Sequence, residues 1–432
     1  MTVHEPFAAR GEVDAKEISR KTPTGAGPDV APQNVSSGRI QGLDIARGFA
    51  LIGMITVHSI PPVNNTTETP SLLHLLFSGH SAALFALLAG VGLALITGGS
   101  VPYTGVRKRR AQVAIAVRAL LLLTIGLALN YVLPVFHSIL PYYAVYFLGG
   151  LLLTGMGVRT LFGCAAFTAL VGPVVIYLVA WWDPLPVIAT PTLTDLVSEP
   201  LATAVSLLVT GTYPAVTWLT FLSLGVAVGR LDLNRLSVQI QLLTWGAITA
   251  LVSSLSAEII VHQLGGFELL LATTEVTAEE VGEHLVEGGQ VPTSSWLWLI
   301  TNAPHSNTTF DLLESAGLAV FAVGACLLIH RVLGRRLAVF GAVGSMTLTL
   351  YSAHLVLITV VDVPWWPIFW TLAQVIGAVV FALVWRALVG KGPLEAVVAW
   401  TAKTVARLLV PGKPDARDSG VQQHQPGDGP GE

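Results

Sequence analysis

Charge and cysteine are both scarce in this chain of 432 residues. Only 11% of the residues are charged, against about 25% in an ordinary soluble domain. This deficit argues against a soluble globular protein, and no nucleic-acid partner is expected. The two cysteines, Cys164 and Cys326, lie inside apolar runs and lack the spacing of metal ligands. We interpret them as small core residues, and no metal site is predicted.

Long apolar runs take the place of the missing charges. Hydrophobic residues make up 53% of the chain, and the runs repeatedly exceed the roughly 18 residues that identify a transmembrane helix. We therefore predict an all-α, polytopic integral membrane protein. About ten transmembrane helices are expected, at residues 41–61, 75–98, 111–133, 138–157, 160–182, 213–230, 238–263, 309–332, 337–361 and 365–390. Two shorter apolar segments, 200–212 and 294–303, are interpreted as interfacial or re-entrant.

Both ends of the chain are polar. Residues 1–38 are rich in Pro, Gly and Ser and lack the apolar core of a signal peptide, which predicts a disordered cytoplasmic tail. Residues 401–432 are predicted to form a basic amphipathic end and a second disordered tail. The amphipathic helix is expected to begin at the GPLE segment, where Pro393 suits a first helical turn.

The positive charges give the chain an orientation. With ten spans, all 23 Lys and Arg residues fall on the side of the N-terminus, and the intervening loops carry acidic residues. Positive charge marks cytoplasmic loops, so both termini are expected in the cytoplasm. The RKRR run at 107–110 is interpreted mainly as part of this signal. Attraction of a phosphate-rich cofactor is the alternative.

The first span, RIQGLDIARGFALIGMITVHSIPP, carries three ionisable residues in an apolar helix: Asp44, Arg47 and His58. Helical geometry places them on one face, with His58 roughly 16 Å beyond Arg47. Ionisable groups inside a span are costly, so a functional interpretation is the default. Asp44 and Arg47 are spaced for an ion pair at the cytoplasmic mouth, or for binding an anion that enters there.

Three histidines within 23 residues, His58, His74 and His80, are predicted at the outer side of the membrane. Ser78 and Ser81 share a helical face with His74, whereas His80 points about 120° away. Singly, each histidine is better explained as a hydrogen-bonded structural residue. Together they suggest a site that titrates near neutral pH.

Two further polar clusters are predicted on the same side. His305 immediately precedes the eighth span, where Thr308 and Asp311 fit a capping box. Tyr351 and His354 lie with Thr347 on one face of the ninth span. Such a stripe also suits hydrogen bonding between helices, so both interpretations stay open.

Several stretches resemble a known family. RIQGLDIARGFALIGMITVH resembles the first-span motif of the heparan-α-glucosaminide N-acetyltransferase-like family, and more closely its YeiB-type bacterial branch. HSAALFALLAGVGLAL resembles the second span of that branch. The Gly229-Arg230 pair, SMTLTLYSAHL and GPLE resemble its C-terminal domain. The resemblance divides the membrane portion into an acyltransferase-like half, 39–230, and a YeiB-type half, 231–400.

The resemblance implies a transmembrane acyltransferase. Such proteins take an acetyl group from cytoplasmic acetyl-CoA and deliver it to a hydroxyl or amine of a glycan or lipid across the membrane. His58 stands where the family usually has Asn, and His74, followed by His80, is nearest to the family's loop histidine. These three residues are the predicted catalytic groups. His305, Tyr351 and His354 are predicted to bind substrate, and Asp44 and Arg47 to bind the cofactor.

The expected acceptor is an extracytoplasmic sugar or glycolipid, in contact with membrane lipid at the plasma membrane. Homo-oligomerisation is left open. The alternative function is a transporter or lipid flippase, which a polar stripe and broken apolar segments serve equally well. Against that alternative, the sequence shows no symmetric pair of interrupted spans in its two halves.

Overall fold

The structure is a computed structural model that describes residues 40–63, 69–132, 138–182, 187–274, 276–361 and 366–412. These residues are helical, without a β-strand among them; one isolated antiparallel bridge joins Val63 to Pro70. The all-α prediction is therefore confirmed. The predicted tails at 1–38 and beyond Gly412 lie outside the described residues.

The helices follow one another in chain order. They are α1 (Gln41–Ser59), α2 (Leu72–Phe77), α3 (His80–Ile96), α4 (Gly105–Leu129), α5 (Leu140–Leu153), α6 (Val158–Trp182), α7 (Leu193–Ser198), α8 (Pro200–Val205), α9 (Ala215–Gly229), α10 (Leu236–Glu258), α11 (Gly266–Thr273), α12 (Ala278–Glu287), α13 (Thr309–Leu333), α14 (Ala338–Gly344), α15 (Thr347–Val360), α16 (Pro367–Leu388) and α17 (Pro393–Leu409). π-Helical turns extend α8 to Thr210 and α10 to Gln263. Short 3₁₀ turns occupy Asn130–Val132, Trp296–Ile300 and Gly334–Leu337.

Six to eight of these segments are long and apolar enough to cross a membrane. Six are single segments, of which 72–96 joins α2 to α3: 72–96, 105–132, 158–182, 236–263, 309–333 and 367–388. Two are helix pairs bent at a short break, α8–α9 by 54° and α14–α15 by 75°. The chain is thus a multi-pass membrane protein. The predicted count of ten also includes α1 and the shorter apolar α5, and stays a prediction.

The two bent pairs bear on two expectations from the sequence, and they correct one of them. The ninth span was predicted as one continuous helix over 337–361, and it consists instead of α14 and α15. The expected absence of a symmetric pair of interrupted spans stays a prediction, although one bent pair lies in each half of the chain. The sequence separated 200–212 from the span at 213–230 and so indicated the first break, whereas the apolar pattern runs through the second break and does not reveal it.

Helix α1 packs directly against the backbone of α14. A Cβ atom added to Gly344 would collide with the carbonyl oxygen of Asp44, and one added to Gly48 would collide with the carbonyl oxygen of Phe340. Only glycine permits so close an approach of two helices. Most of α1 is buried, which explains how a span with an acid, an arginine and a histidine is accommodated in an apolar protein.

A second glycine contact joins α3 to α9. Gly225 and Gly229 of α9 form a GxxxG motif, a pattern that predicts close helix packing, and the structure confirms it. A Cβ atom added to Gly225 would collide with the carbonyl oxygen of Leu87, and one added to Gly90 would collide with the carbonyl oxygen of Leu222. The two helices therefore approach through small residues from both sides.

Arg230, directly after α9, binds the C-terminal ends of two other helices. Its guanidinium donates to the carbonyl oxygens of Gly99 and Thr154 at 2.6 Å each, and to the hydroxyl of Thr97 at 3.2 Å. Carbonyl groups at a helix C-terminus attract a cation. The Gly229-Arg230 motif thus fastens α3 and α5 to α9.

The GPLE segment caps α15. Glu395 accepts hydrogen bonds from the backbone N–H groups of Leu348 and Thr349, and from the hydroxyl of Thr349 at 2.6 Å. Backbone N–H groups in the first turn of a helix need outside acceptors. Pro393 occupies the first turn of α17, as predicted. The start of α17 therefore fixes the start of α15, just past its bend.

The predicted orientation can be tested with single cysteines at exposed positions. In a variant without Cys164 and Cys326, we expect Glu283→Cys to react with a membrane-impermeant maleimide in intact cells. Lys108→Cys should react only after permeabilisation, because its basic loop is predicted to be cytoplasmic. The reverse labelling pattern would show that the basic loops lie outside the cell and that the predicted orientation is wrong.

The crossing of α1 and α14 can be tested by adding single methyl groups. We expect Gly344→Ala to destabilise the protein by about 1–3 kcal/mol, because the methyl group overlaps the α1 backbone. Gly341→Ala in the same helix is the matched control, since a Cβ atom there meets no described atom within 4 Å. The measurement is the apparent Tm in detergent. Equal Tm values for both variants would contradict the contact.

Candidate active site

Three of the predicted histidines, His58, His74 and His305, line one cavity of about 480 Å³. Their side chains come from α1, α2 and the loop before α13. The remaining lining residues are Met54, Val57, Phe77, Ser78, Gly79, Ser81, Ala82, Val187, Ala189, Thr212, Tyr213, Glu287, Gly288, Gly289 and Gln290. Every one of these segments falls at the predicted outer end of its span or in a predicted outer loop.

His74 is oriented by the end of α1. Its Nδ1 lies 3.3 Å from the carbonyl oxygen of Ile60, and a carbonyl oxygen can only accept, so Nδ1 donates. His74 was predicted to share a continuous helical face with Ser78 and Ser81, and that prediction was wrong. Helix α2 ends at Phe77, and Gly79 adopts a φ of +73° before α3 begins. The break nevertheless leaves all three side chains on the cavity wall.

His305 sits in a strained loop between the 3₁₀ turn and α13. Its φ is +59°, a left-handed conformation that is costly for a residue with a side chain. Its ring packs edge-on against Tyr213, with ring centroids 5.4 Å apart. Strain of this kind persists only where the surroundings enforce it, and it concentrates at functional sites.

Asn307 supplies much of that enforcement. Its side-chain oxygen accepts hydrogen bonds from Trp218 Nε1 at 2.8 Å and from Thr217 Oγ1 at 3.1 Å, while its amide nitrogen donates to the His305 carbonyl at 3.0 Å. Asn307 has a φ of +57° itself. The buried side chain thus ties the His305 loop to α9.

At the start of α13, one of the two hydrogen bonds of the predicted capping box is present. The hydroxyl of Thr308 accepts from the backbone N–H of Asp311 at 3.2 Å, as expected of an N-cap. The Asp311 carboxylate, however, accepts from the N–H of Asn307 at 3.0 Å rather than from that of Thr308. The acid therefore also holds the loop that carries His305.

His58 forms part of the cavity wall, and His354 stands behind it. The His58 and His354 rings are nearly parallel, with Nδ1 of His58 3.0 Å from Nε2 of His354. His354 and Tyr351 are buried and do not appear on the described cavity wall. Tyr351 instead accepts from the backbone N–H of Ile139 at 3.4 Å. Of the three residues predicted to bind substrate, only His305 reaches the cavity.

His80 is directed away from the other histidines. Its Nδ1 lies 2.9 Å from the hydroxyl of Ser315, which in turn donates to Asp311 at 3.3 Å. His80 does not line the cavity among the described residues. It connects α3 to α13 behind the His305 loop, which suits a supporting position better than contact with a substrate.

Asp44 and Arg47 form the predicted ion pair, with Arg47 Nη1 2.7 Å from Asp44 Oδ1. The pair lies near the opposite end of α1 from His58. The Tyr143 hydroxyl lies within electrostatic range of Arg47, Tyr351 and Tyr213. That hydroxyl is buried, with no hydrogen-bond partner in the described part of the chain. Of these tyrosines, Tyr213 lines the described cavity.

The segment between α10 and α13 forms a small apolar cluster of its own, centred on Leu270, Val281 and Trp298. His284 packs edge-on against Trp298 at 4.9 Å, and burial lowers the pKa of this imidazole. It is therefore a neutral packing residue near pH 7. The same segment delivers Glu287 and Gln290 to the cavity.

Several residues of the site were not predicted. Tyr213 and Gln290 lie in loops and Glu287 is the last residue of α12; their positions depend on tertiary packing, so no local pattern pointed to them. Gln374 was missed as well, although a glutamine within the apolar run of the tenth span was a usable signal. Among the described residues, no group of three or more His, Cys, Asp or Glu side chains is arranged to hold a metal ion.

The fold and the site define a multi-pass helical membrane protein with a histidine-lined cavity suited to acid–base chemistry. More narrowly, the chain belongs to the heparan-α-glucosaminide N-acetyltransferase family. The model of the catalytic domain of that family matches residues 39–263, just over half of the chain. No curated protein matches the chain.

The matched segment runs from α1 to the end of α10. It includes His58 and His74 of the cavity and the Asp44–Arg47 pair, and it stops before His305 and His354. The family resemblance stated from the sequence is thus confirmed. The assignment of residues 231–400 to a YeiB-type half stays a prediction.

The Asn307 anchor can be tested with two substitutions. We expect Asn307→Ala to cost about 1–3 kcal/mol, because the buried Trp218 Nε1 loses its acceptor, together with the strain of alanine in a left-handed conformation. Asn307→Gly loses the same hydrogen bonds without that strain, so it should be less destabilised. Exposed Asn234→Ala is the control, and apparent Tm in detergent is the measurement. A glycine variant no more stable than the alanine variant would argue against backbone strain at this position.

Proposed function

We propose that this protein transfers an acetyl or other acyl group from cytoplasmic acyl-CoA to a sugar or glycolipid on the outer side of the plasma membrane. Membership of an N-acetyltransferase family supports the reaction class. The observation that carries the proposal is the meeting of His58, His74 and His305 in one cavity. His305 is far from the other two in sequence, and the packing of apolar helices alone does not require the three histidines to meet.

His58 is the proposed general base. The hydroxyl or amine of the acceptor attacks the thioester carbonyl carbon, so that a C–O or C–N bond forms and the C–S bond breaks. The acceptor proton passes to a ring nitrogen of His58 and then to the departing thiolate, which leaves as the coenzyme A thiol. His74 and His305 lie on the same wall, where they orient the acceptor and stabilise charge on the carbonyl oxygen.

Arg47 is the proposed contact for the donor. Coenzyme A carries phosphate groups, for which a guanidinium is a suitable partner. The ion pair with Asp44 holds Arg47 near the predicted cytoplasmic end of α1. The buried Tyr143 hydroxyl lies farther inward and offers a hydrogen bond to the donor arm. The proposal thus places the charged part of the donor at one end of α1 and the acyl carbon near the other.

Transport is the second candidate function, favoured by one specific observation. The bent pairs α8–α9 and α14–α15 lie in the two halves of the chain, and transporters place their binding sites at such interrupted helices. The two functions differ in their products. An acyltransferase consumes acetyl-CoA and releases a thiol, whereas a transporter or flippase moves its substrate unchanged.

The proposed reaction can be tested in proteoliposomes loaded with radiolabelled acetyl-CoA. We expect the label to appear in envelope sugars or glycolipids added outside, with release of coenzyme A thiol. His58→Ala should lower the rate by about 10²- to 10⁴-fold, the usual contribution of a general base. His262→Ala is the control, because its partly exposed side chain approaches Glu258 and lies away from the cavity.

Two outcomes would overturn this assignment. Unmodified substrate crossing the bilayer without thiol release would favour transport. Acetyl transfer that is equally fast in His58→Ala and wild type would remove His58 from the chemistry while leaving the reaction class in place.

A further inference from the structure

Behind the cavity wall, His58 begins a chain of hydrogen bonds through three helices. His58 Nδ1 lies 3.0 Å from His354 Nε2, and His354 Nδ1 lies 2.7 Å from Gln374 Oε1. Gln374 Nε2 then donates to the hydroxyl of Ser59 at 2.9 Å. The chain therefore leaves α1, crosses α15 and α16, and returns to α1 next to its starting residue.

The members of this chain behind His58 are buried. The exposed fraction is 5% for His354, 7% for Gln374 and 3% for Ser59. Buried polar groups stabilise a structure only when their hydrogen bonds are completed. Each nitrogen and oxygen named above has its partner, so the arrangement of protons along the chain is restricted.

The direction of each hydrogen bond follows from the Gln374 amide. Its nitrogen donates to Ser59, so its oxygen faces His354 and can only accept. His354 Nδ1 must therefore carry a proton, and Nε2 of the neutral His354 ring must accept. His58 Nδ1 then donates to His354, which leaves the lone pair of the neutral His58 ring on Nε2.

We propose that His354 and Gln374 are positioning residues that hold His58 in the Nδ1-protonated tautomer, with Nε2 as the basic atom. This inference rests on the proposed role of His58 as general base. It assigns His354 a different task from the substrate binding predicted from the sequence. A base oriented by a second group, itself held by a third, is a recurring arrangement in catalytic sites.

The chain also stabilises the protonated base. When Nε2 of His58 takes a proton, the ring becomes an imidazolium whose Nδ1–H donates to the neutral His354. A hydrogen bond from a charged donor is stronger than one between neutral groups. His354 thus strengthens its contact with His58 at the moment of proton transfer, and Gln374 keeps His354 in the accepting tautomer.

A glutamine suits this position better than a carboxylate would in a membrane. An ionised acid buried between apolar helices carries a large desolvation cost. The Gln374 amide supplies the same acceptor geometry to His354 without a permanent charge. Its second group, the NH₂, is satisfied by Ser59, so no polar atom of the amide is left over.

The test compares two substitutions of Gln374 in the full-length protein. Gln374→Met removes the acceptor, and we expect acetyl transfer to fall on the order of 100-fold in kcat, as for other misplaced catalytic groups, with KM for acetyl-CoA unchanged. Gln374→Glu, whose carboxyl is kept protonated by burial, retains a carbonyl oxygen for His354 and a donor for Ser59, and should recover most of the rate. Thr371→Val on α16 is the matched control, since Thr371 is equally buried but bonds only the Pro367 carbonyl of its own helix.

The second readout is ¹⁵N NMR of protein labelled at histidine, which requires no turnover. The His58 signals are identified as those that disappear in His58→Ala. In wild type they should show a protonated Nδ1 and an unprotonated Nε2. In Gln374→Met they should show a mixture of both tautomers. An unchanged tautomer in Gln374→Met, or no recovery of rate in a folded Gln374→Glu, would overturn the inference. Wild type that shows the expected tautomer but transfers no acetyl group would instead refute the proposed function and leave the hydrogen-bonded chain intact.

Discussion

The backbone contact between α1 and α14 controls the geometry of the rest of the protein. Gly344 lies against the Asp44 carbonyl because it has no side chain, and α15 begins three residues later at Thr347. The 75° bend and the cap from Glu395 then set the direction of α15. His354 arrives beside His58 as a consequence, so a packing contact near one end of α1 determines the neighbour of the histidine at its other end.

Features that depend on short spacing could be predicted from the sequence. The Asp44–Arg47 ion pair follows from two residues three positions apart on one helix, and the start of α13 follows from a threonine at its N-cap. The GxxxG contact of α9 is also local in origin, because small residues four apart make a flat helix surface. The boundaries of most long helices were predicted to within several residues for the same reason: apolar length and turn residues are read along the chain.

Features that depend on the order of packing could not be predicted. His58 and His354 are 296 positions apart, and all the spans are apolar, so their periodicity does not say which helices touch. The break at Gly79 was missed because the apolar pattern of the second span continues through it. The sequence could place the histidines on the same side of the membrane, but it could not show that they line one cavity. The distribution of Lys and Arg indicates on which side a loop lies and not which loops are neighbours.

The positions of the charged groups bear on what could cross the membrane, the whole of coenzyme A or only its acyl arm. Arg230 is balanced by helix C-termini and Arg47 by Asp44, whereas the Tyr143 hydroxyl, within electrostatic range of Arg47, is neutral and buried. A neutral hydroxyl offers no charged partner for the phosphates of coenzyme A, whose transfer into hydrocarbon is prohibitive. In the proposed reaction those phosphates therefore stay at the Arg47 end of α1, and only the uncharged thioester arm enters the protein. This distribution of charge supports the proposed transfer of an acyl group without its charged carrier.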